Sequence, residues 1–154
     1  LYGHGLGSSI ATVIAHYRDI GGLVLSSPFD SMTSVLESKH PYLLSRFLLN
    51  SHFSTASLAP GMELPTFVAI ASADDRYLPK HAQRLLSYWK GDVVEKSYPF
   101  NRYSILQDTN YWNDINSFIY LERPESDAKP IQKQEFQLLT KIIYAADIED
   151  IESK

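Results

Sequence analysis

The chain has no cysteine among its 154 residues. This absence excludes disulfide bonds, metal and iron–sulfur sites with cysteine ligands, and a cysteine nucleophile, and it does not indicate a redox compartment. Apolar runs stay well below the about 18 to 20 residues of a membrane-spanning helix, and no basic-then-apolar signal segment opens the chain. We therefore predict no transmembrane segment, and a soluble, cytoplasmic protein is the default expectation.

Basic residues are fewer than acidic ones: 14 Lys and Arg residues against 18 Asp and Glu residues give a formal net charge of −4. No local cluster of basic residues offsets this balance, so we do not expect nucleic acid as a partner. The five histidines lack the spacing of a metal site; they are His4, His16, His40, His52 and His81. We predict no metal and no cofactor.

Short apolar runs alternate with segments of helical periodicity as far as residue 122. The runs predict strands at 23–25, 66–70 and 92–98, and the periodic segments predict helices at 8–18, 79–89 and 111–121. Alternating strands and helices are typical of an α/β domain with a mostly parallel sheet and helices on its faces. The sequence therefore predicts this class for residues 1–122.

The helix at 8–18 has one apolar stripe at helical spacing, formed by Ile10, Val13, Ile14 and Tyr17. Because such a stripe usually packs against the core, we expect these four side chains to be buried. His16 and Arg18 are expected to face outward.

Residues 31–53 also have helical periodicity, in two pieces, with Asp30 or Ser31 as the cap of the first and Pro41 at the start of the second. We interpret about 30–53 as a helical insertion. Residues 123–130 are polar, contain two prolines and are typical of a linker. The remaining residues, 131–154, are predicted to contain a C-terminal amphipathic helix.

A glycine-rich turn, Gly3-His4-Gly5-Leu6-Gly7, lies between an expected strand end and the first helix. This is the context of the G-x-S-x-G nucleophile elbow, in which a serine occupies a strained turn between small residues. Here the central position is Gly5, which has no hydroxyl group.

With this turn the chain resembles the α/β-hydrolase family, in particular serine hydrolases whose elbow reads tyrosine-glycine-histidine-serine-leucine-glycine. The resemblance extends to residues 27–31 after the next strand, and to residues 65–79, where an apolar strand leads through Asp75 to a Leu-Pro step. It implies Gly5 at the nucleophile position, the Leu6 N–H as an oxyanion donor, Asp75 as the acid and Tyr103 at the position of the base. It also implies a partial α/β-hydrolase fold, the C-terminal half, with the early strands absent.

Two of these three positions lack the groups that acyl transfer requires. Glycine cannot attack a carbonyl, and a tyrosine with an ordinary pKa of about 10 is a poor base at neutral pH. We therefore predict a catalytically inactive protein, a pseudoenzyme, with a binding or scaffold role. One alternative is a serine hydrolase of ester, thioester or peptide bonds in which Gly5 has replaced the native serine, and another is a truncated or decayed gene product.

Ser8 and Ser9 are the hydroxyls nearest to the elbow, but serines in a first helical turn are usually caps or solvated residues, and we do not expect them to substitute. The aromatic residues Tyr98, Phe100, Tyr103, Tyr111 and Trp112 are expected to be mainly packing residues. Because early strands are absent, one sheet edge should be exposed. Expected partners are a small acyl or hydrophobic ligand, or a protein or second copy at that edge.

Overall fold

A computed structural model describes residues 1–39 and 54–121 of the chain. The second half of the predicted helical insertion, the predicted linker at 123–130 and the predicted helix within 131–154 lie outside these residues. The described elements belong to one compact unit, Leu1–Glu122.

The sheet has four parallel strands, which we number β1 (Tyr2–His4), β2 (Leu23–Ser26), β3 (Thr66–Ala71) and β4 (Val93–Tyr98). Their order in the sheet is the order in the chain, β1-β2-β3-β4. The three predicted strands are β2, β3 and β4, and the α/β class is confirmed. The short β1 was not predicted as a strand, since three residues carry no periodic signal of their own.

In the part of the chain that the structure describes, four helices connect and flank these strands: α1 (Leu6–Tyr17), α2 (Met32–Lys39), α3 (Pro79–Leu86) and α4 (Thr109–Leu121). Pro79 stands in the first turn of α3, where its missing N–H costs nothing. The helix ends at Leu86, before the predicted Trp89, because the N–H groups of Tyr88 and Trp89 bond to the carbonyls three residues before them, those of Leu85 and Leu86. Short 3-10 turns lie at Thr55–Ser57, Ala59–Gly61 and Ser104–Gln107.

Alternate residues of the strands point to two separate cores, as the period of two requires. Val24 packs on one face of the sheet with Phe67, Tyr111 and the apolar side of α4. Leu23 and Leu25 pack on the other face with Val68, Met62 and the small residues of α1. Both faces of the sheet are therefore covered, which is the usual condition of a parallel sheet.

The predicted packing stripe of α1 is wrong, because the helix turns the opposite face to the sheet. Its buried residues are small or polar: Ser8, Ser9, Ala11, Thr12 and Ala15. The apolar residues stand in solvent, with exposed fractions of 50% for Ile10, 39% for Val13, 41% for Ile14 and 71% for Tyr17. The helix approaches β1 so closely that a Cβ built on Gly3 would lie 2.7 Å from the Cβ of Ala11. Only small side chains fit at this contact.

β1 is the outer strand on one side of the sheet. Within residues 1–39 and 54–121 it pairs with β2 alone. None of the helices within the described ranges is long and apolar enough to cross a membrane.

Candidate active-site elbow

Gly5 is the turning point between β1 and α1. Its backbone has φ 52° and ψ −119°, a combination that residues with a side chain rarely adopt. The Gly5 N–H donates to the carbonyl of Ser26 at 2.8 Å, and the Gly5 carbonyl accepts from the N–H of Ser8 at 3.0 Å. The strained turn from a strand into a helix is therefore present at the predicted position. Leu6, the first residue of α1, has a backbone N–H for which the helix provides no acceptor.

The elbow is compact because Gly3 lets strand and helix touch. A Cβ on Gly3 would lie 2.4 Å from the carbonyl oxygen of Gly7 and 2.7 Å from the Cα of Ser8. By contrast, nothing lies within 4 Å of a Cβ built on Gly7. The two flanking glycines therefore differ in their structural role.

An aromatic side chain closes the space above Gly5. A Cβ built on Gly5 would stand 3.1 Å from Cε2 of Tyr77, tighter than ordinary van der Waals contact. Tyr77 is buried and stacks on Phe29, with ring centroids 4.8 Å apart and planes 12° from parallel. The place where a nucleophile side chain would begin is thus bounded by a fixed ring.

Backbone hydrogen bonds bring the loops after the four strands together at one edge of the sheet. Ser27 donates to the carbonyl of Ala69 at 2.9 Å, which ties the loop after β2 to the end of β3. Ala73 donates to the carbonyl of Phe100 at 3.0 Å, which ties the loop after β3 to the loop after β4. This is the edge at which open parallel sheets gather their functional side chains.

The loop after β3 contains two consecutive acids with different environments. Asp75, the residue singled out by the sequence pattern, is exposed. Asp74 is 3% exposed, and its Oδ1 accepts from the N–H groups of Arg76 and Tyr77 at 2.8 and 2.9 Å. Its Oδ2 is buried and has no hydrogen-bond partner among the described residues. Asp74 is therefore folded into the turn, whereas Asp75 faces solvent.

The loop after β4 contains the predicted base position, Tyr103. Its neighbour Arg102 is buried and lies between two rings, 5.5 Å from the centroid of Tyr77 and 4.4 Å from that of Tyr103. Arg102 Nη2 donates to the hydroxyl of Tyr103. Asn101 Oδ1 accepts from the N–H of Tyr103 at 2.9 Å and so holds this turn in place. Arg102 is the side chain of this loop that reaches the ring above Gly5.

The two serines that follow the elbow are occupied by hydrogen bonds. Ser8 is completely buried and donates its hydroxyl to the carbonyl of Gly5 at 2.6 Å. Ser9 is also buried and shares a hydrogen bond of 2.8 Å with the hydroxyl of Thr55. Neither is solvated, and each is fixed in a structural contact.

The tyrosines near the ends of β1 and β4 belong to the core. The hydroxyls of Tyr2 and Tyr111 lie 2.9 Å apart, and Tyr98 donates to Asp114 at 2.7 Å. Burial raises the pKa of Tyr2 to about 12 and raises the pKa of both Tyr98 and Tyr111. These groups stay protonated at neutral pH and serve as packing residues with satisfied hydroxyls.

Histidine, aspartate and glutamate do not cluster as a metal site would require. In the part of the chain that the structure describes, no group of three such side chains is placed to hold a metal ion.

Comparison with known proteins places this geometry in context. The chain is 30% identical over 86 residues to uncharacterized proteins of two Mycobacterium tuberculosis strains, an alignment that covers 56% of this chain. The chain spans only 31% of the length of these relatives. No protein-family model matches the chain.

Solved structures show the same fold at low sequence identity. The acetyl xylan esterase from Paenibacillus sp. R4 matches with a TM-score of 0.60 and 14% identity, over 79% of this chain and 43% of that one. An alpha-beta hydrolase from Vibrio vulnificus matches with a TM-score of 0.54 and 19% identity, over 76% of this chain and 47% of that one. The monoacylglycerol lipase from Paleococcus ferrophilus matches with a TM-score of 0.52 and 18% identity, over 79% and 67%. The described chain therefore has part of an α/β-hydrolase fold.

Proposed function

We propose that this chain is an α/β-hydrolase-like protein whose elbow is catalytically inactive and no longer transfers acyl groups, and that the role of this part of the fold is binding or scaffolding. The observation that carries the proposal is Gly5, which keeps the backbone of a nucleophile elbow without a nucleophile and has the Tyr77 ring 3.1 Å from its missing Cβ. Acyl transfer at this turn needs a hydroxyl to attack and an imidazole to accept its proton. Glycine supplies neither group.

The rest of the site supports the same conclusion. Asp74 has a buried carboxylate oxygen without a hydrogen-bond partner among the described residues, and the loop after β4 contains Arg102 and Tyr103. A guanidinium stays protonated at neutral pH and cannot act as a base. Asp75 remains the predicted acid position, Asp74 is a second candidate for it, and Tyr103 remains the predicted base position with Arg102 beside it.

A scaffold role is supported by the outer face of α1. Leu6, Ile10, Val13 and Tyr17 follow each other at spacings of four, three and four residues, the spacing of a helix–helix seam. All four are exposed in the described part of the chain. An apolar seam of this kind is self-complementary about a two-fold axis, so a second copy of the chain is the partner that we assign to it.

The experiment is to treat the protein with a fluorophosphonate probe, digest it and locate any adduct by mass spectrometry. We expect no adduct within residues 1–18, and we expect Gly5→Ser to leave 4-nitrophenyl acetate hydrolysis at the level of the parent chain. Adding Tyr103→His, or Arg102→His, to Gly5→Ser should restore at most weak turnover, because the Tyr77 ring lies 3.1 Å from the Cβ position of residue 5 and crowds the new hydroxyl. An adduct on Ser8 or Ser9 in the unmodified chain would contradict the proposal.

A further inference from the structure

A second cluster of polar side chains lies away from the elbow, where α2 meets α3. Its centre is His81, 2% exposed, whose Nδ1 lies 3.0 Å from Oδ1 of the equally buried Asp30. Ser34 donates its hydroxyl to Asp30 Oδ1, and Arg84 Nη1 lies 3.4 Å from Asp30 Oδ2. A buried carboxylate with three donors is fixed in orientation and in charge.

The opposite nitrogen of His81 faces a serine. Nε2 lies 3.1 Å from the hydroxyl of Ser38, which is exposed in the last turn of α2. Since the Asp30 carboxylate can only accept, it holds the ring proton on Nδ1 and leaves the lone pair on Nε2. The Ser38 hydroxyl donates to the carbonyl of Ser34 at 2.9 Å, so it must rotate away from that carbonyl before it can donate to Nε2. Ser38, His81 and Asp30 therefore stand in the order hydroxyl, imidazole, carboxylate that activates a serine nucleophile.

These groups open into a cavity of about 400 Å³, which we call the Ser38 cavity. It is lined by Ser34, Glu37, Ser38, Lys80, His81 and Arg84. A cavity of this size accommodates a small ligand. Lys80 and Arg84 place two cationic side chains beside the serine. Arg84 is also paired with the Asp30 carboxylate at 3.4 Å, and Glu37 adds an exposed carboxylate.

The protonation state of His81 suits a base. Burial lowers its pKa below the ordinary value, and the nearby charges of Lys80 and Arg84 act in the same direction, while the bond and charge of Asp30 oppose them. The imidazole is therefore neutral at pH 7, as a group that must accept a proton has to be.

We propose that Ser38, His81 and Asp30 form a nucleophilic site, independent of the elbow, at which Ser38 is acylated by small esters that carry an anionic group. Ser38 Oγ attacks the ester carbonyl carbon while His81 Nε2 takes the hydroxyl proton. The bond from the carbonyl carbon to the alcohol oxygen then breaks, and His81 returns the proton to the leaving alcohol. Water, activated by the same nitrogen, releases the acid and restores Ser38.

Lys80 and Arg84 have two parts in this scheme. They attract the anionic group of the ester, and their charge stabilises the oxyanion that forms on the carbonyl oxygen. Because Ser38 lies at the C-terminal end of α2, the helix dipole opposes that negative charge. Mobile cationic side chains replace preorganised backbone donors here, so we expect acylation that is slow but specific.

The test compares two probes, 4-nitrophenyl acetate and the anionic 4-nitrophenyl monosuccinate, by release of nitrophenol and by peptide mapping of the acyl adduct. We expect an adduct on Ser38 and faster reaction with the monosuccinate. Ser38→Ala should abolish both the adduct at this position and the faster reaction with the monosuccinate. The matched control is Ser117→Ala, since Ser117 is also an exposed helical serine that bonds the carbonyl four residues before it but has no histidine; it should react like the parent chain.

Further variants separate catalysis from structure. His81→Gln should slow acylation by about 10²-fold, the lower end of general-base contributions. The acylation rate of the parent chain should fall as the pH drops below the lowered pKa of His81. The charged groups that surround His81 during this titration are Asp30, Glu37, Lys80 and Arg84. Lys80→Ala should reduce the preference for the monosuccinate, whereas Lys90→Ala should not.

If His81→Gln fails to fold, the Ser38→Ala and Ser117→Ala pair still decides, since both positions are exposed. Equal reaction of Ser38→Ala and the parent chain, or an adduct confined to lysines and the N-terminus, would overturn this inference. An adduct within residues 1–18 would instead contradict the proposed function of the elbow. The mapped position therefore distinguishes the two failures.

Discussion

Tyr77 and Gly5 face each other at the elbow: Cε2 of Tyr77 lies 3.1 Å from the position that a Cβ on Gly5 would occupy. Tyr77 stacks on Phe29, and the Arg102 guanidinium lies over its ring, 5.5 Å from the centroid. Since the ring is buried and fixed, it cannot swing away without loss of packing. The surrounding residues therefore leave little space for a side chain at residue 5.

The first prediction concerns this contact. Gly5→Ser should lower the free energy of unfolding by about 1–3 kcal/mol, because a side chain at φ 52° is strained and its Cβ meets the Tyr77 ring. The cost should be smaller when Gly5→Ser is made in a Tyr77→Ala chain, where only the backbone strain remains. Urea denaturation of the four chains of this double-mutant cycle measures the difference.

Gly21→Ser is the matched control for the first prediction. A Cβ built on Gly21 has nothing within 4 Å, so this change should alter the free energy of unfolding by less than about 0.5 kcal/mol. An equal cost of Gly5→Ser with and without the Tyr77 ring would show that the ring does not limit the elbow.

The second prediction compares the two flanking glycines. Gly3→Ala should destabilise the chain by at least about 1–3 kcal/mol, because its Cβ would overlap the carbonyl oxygen of Gly7 at 2.4 Å and neither backbone can move freely. Gly7→Ala, inside α1 with no neighbour within 4 Å, should stabilise it by up to about 1 kcal/mol. Thermal and urea denaturation should give shifts of opposite sign, and shifts of the same sign would contradict the described packing of α1 on β1.

The fold was largely predictable because local signals were strong. The apolar run that became β3 and the Pro that opens α3 each indicate an element without reference to the rest of the chain. The buried face of α1 was not predictable in this way. Periodicity shows that Ile10, Val13 and Tyr17 share a side, but the close approach of Gly3 to Ala11, a contact across the elbow, decides which side meets the sheet.

The position of the candidate site in the chain was predictable, but the identity of its residues was less so. Chain order and motif identified the elbow and the acid loop, whereas the choice between Asp74 and Asp75 depends on which carboxylate the turn folds inward. The pairing of Asp30 with His81 joins residues 51 positions apart. No spacing within the sequence indicates such a contact. The sequence offered Asp30 or Ser31 as the cap of α2, and in the structure the Ser31 hydroxyl accepts from the Ser34 N–H.

The third prediction concerns the outer face of α1. We expect the protein to associate reversibly as its concentration rises, because four apolar side chains at helix–helix spacing are exposed on α1. Ile10→Lys should shift the equilibrium toward the monomer in sedimentation velocity runs. Asn113→Lys, which adds the same charge at an exposed position of α4, should leave it unchanged. A parent chain that stays monomeric at every concentration would contradict the scaffold role assigned to this face.

The last prediction is the pH dependence of stability that follows from His81. Burial lowers the pKa of His81 in the folded chain, so the unfolded chain, with an ordinary histidine pKa of about 6.5, binds a proton at a higher pH than the folded one. The free energy of unfolding should therefore be highest above pH 6.5 and fall as the pH drops below that value toward the folded pKa, by at most about 1.4 kcal/mol per pH unit from this group. Urea denaturation at a series of pH values measures the slope, and His81→Gln should remove this contribution.

Neighbouring charges allow a sharper version of that test. Asp30 opposes the lowering of the His81 pKa, whereas Lys80 and Arg84 reinforce it. Asp30→Asn should therefore lower the pKa of His81 in the folded chain further, so that the loss of stability extends to more acidic pH. Lys80→Gln should raise this pKa and narrow the pH range over which stability is lost. If the free energy of unfolding of His81→Gln depends on pH as steeply as that of the parent chain, another group causes the dependence. That result would contradict the lowered pKa of His81, on which the neutral imidazole in the Ser38 cavity depends.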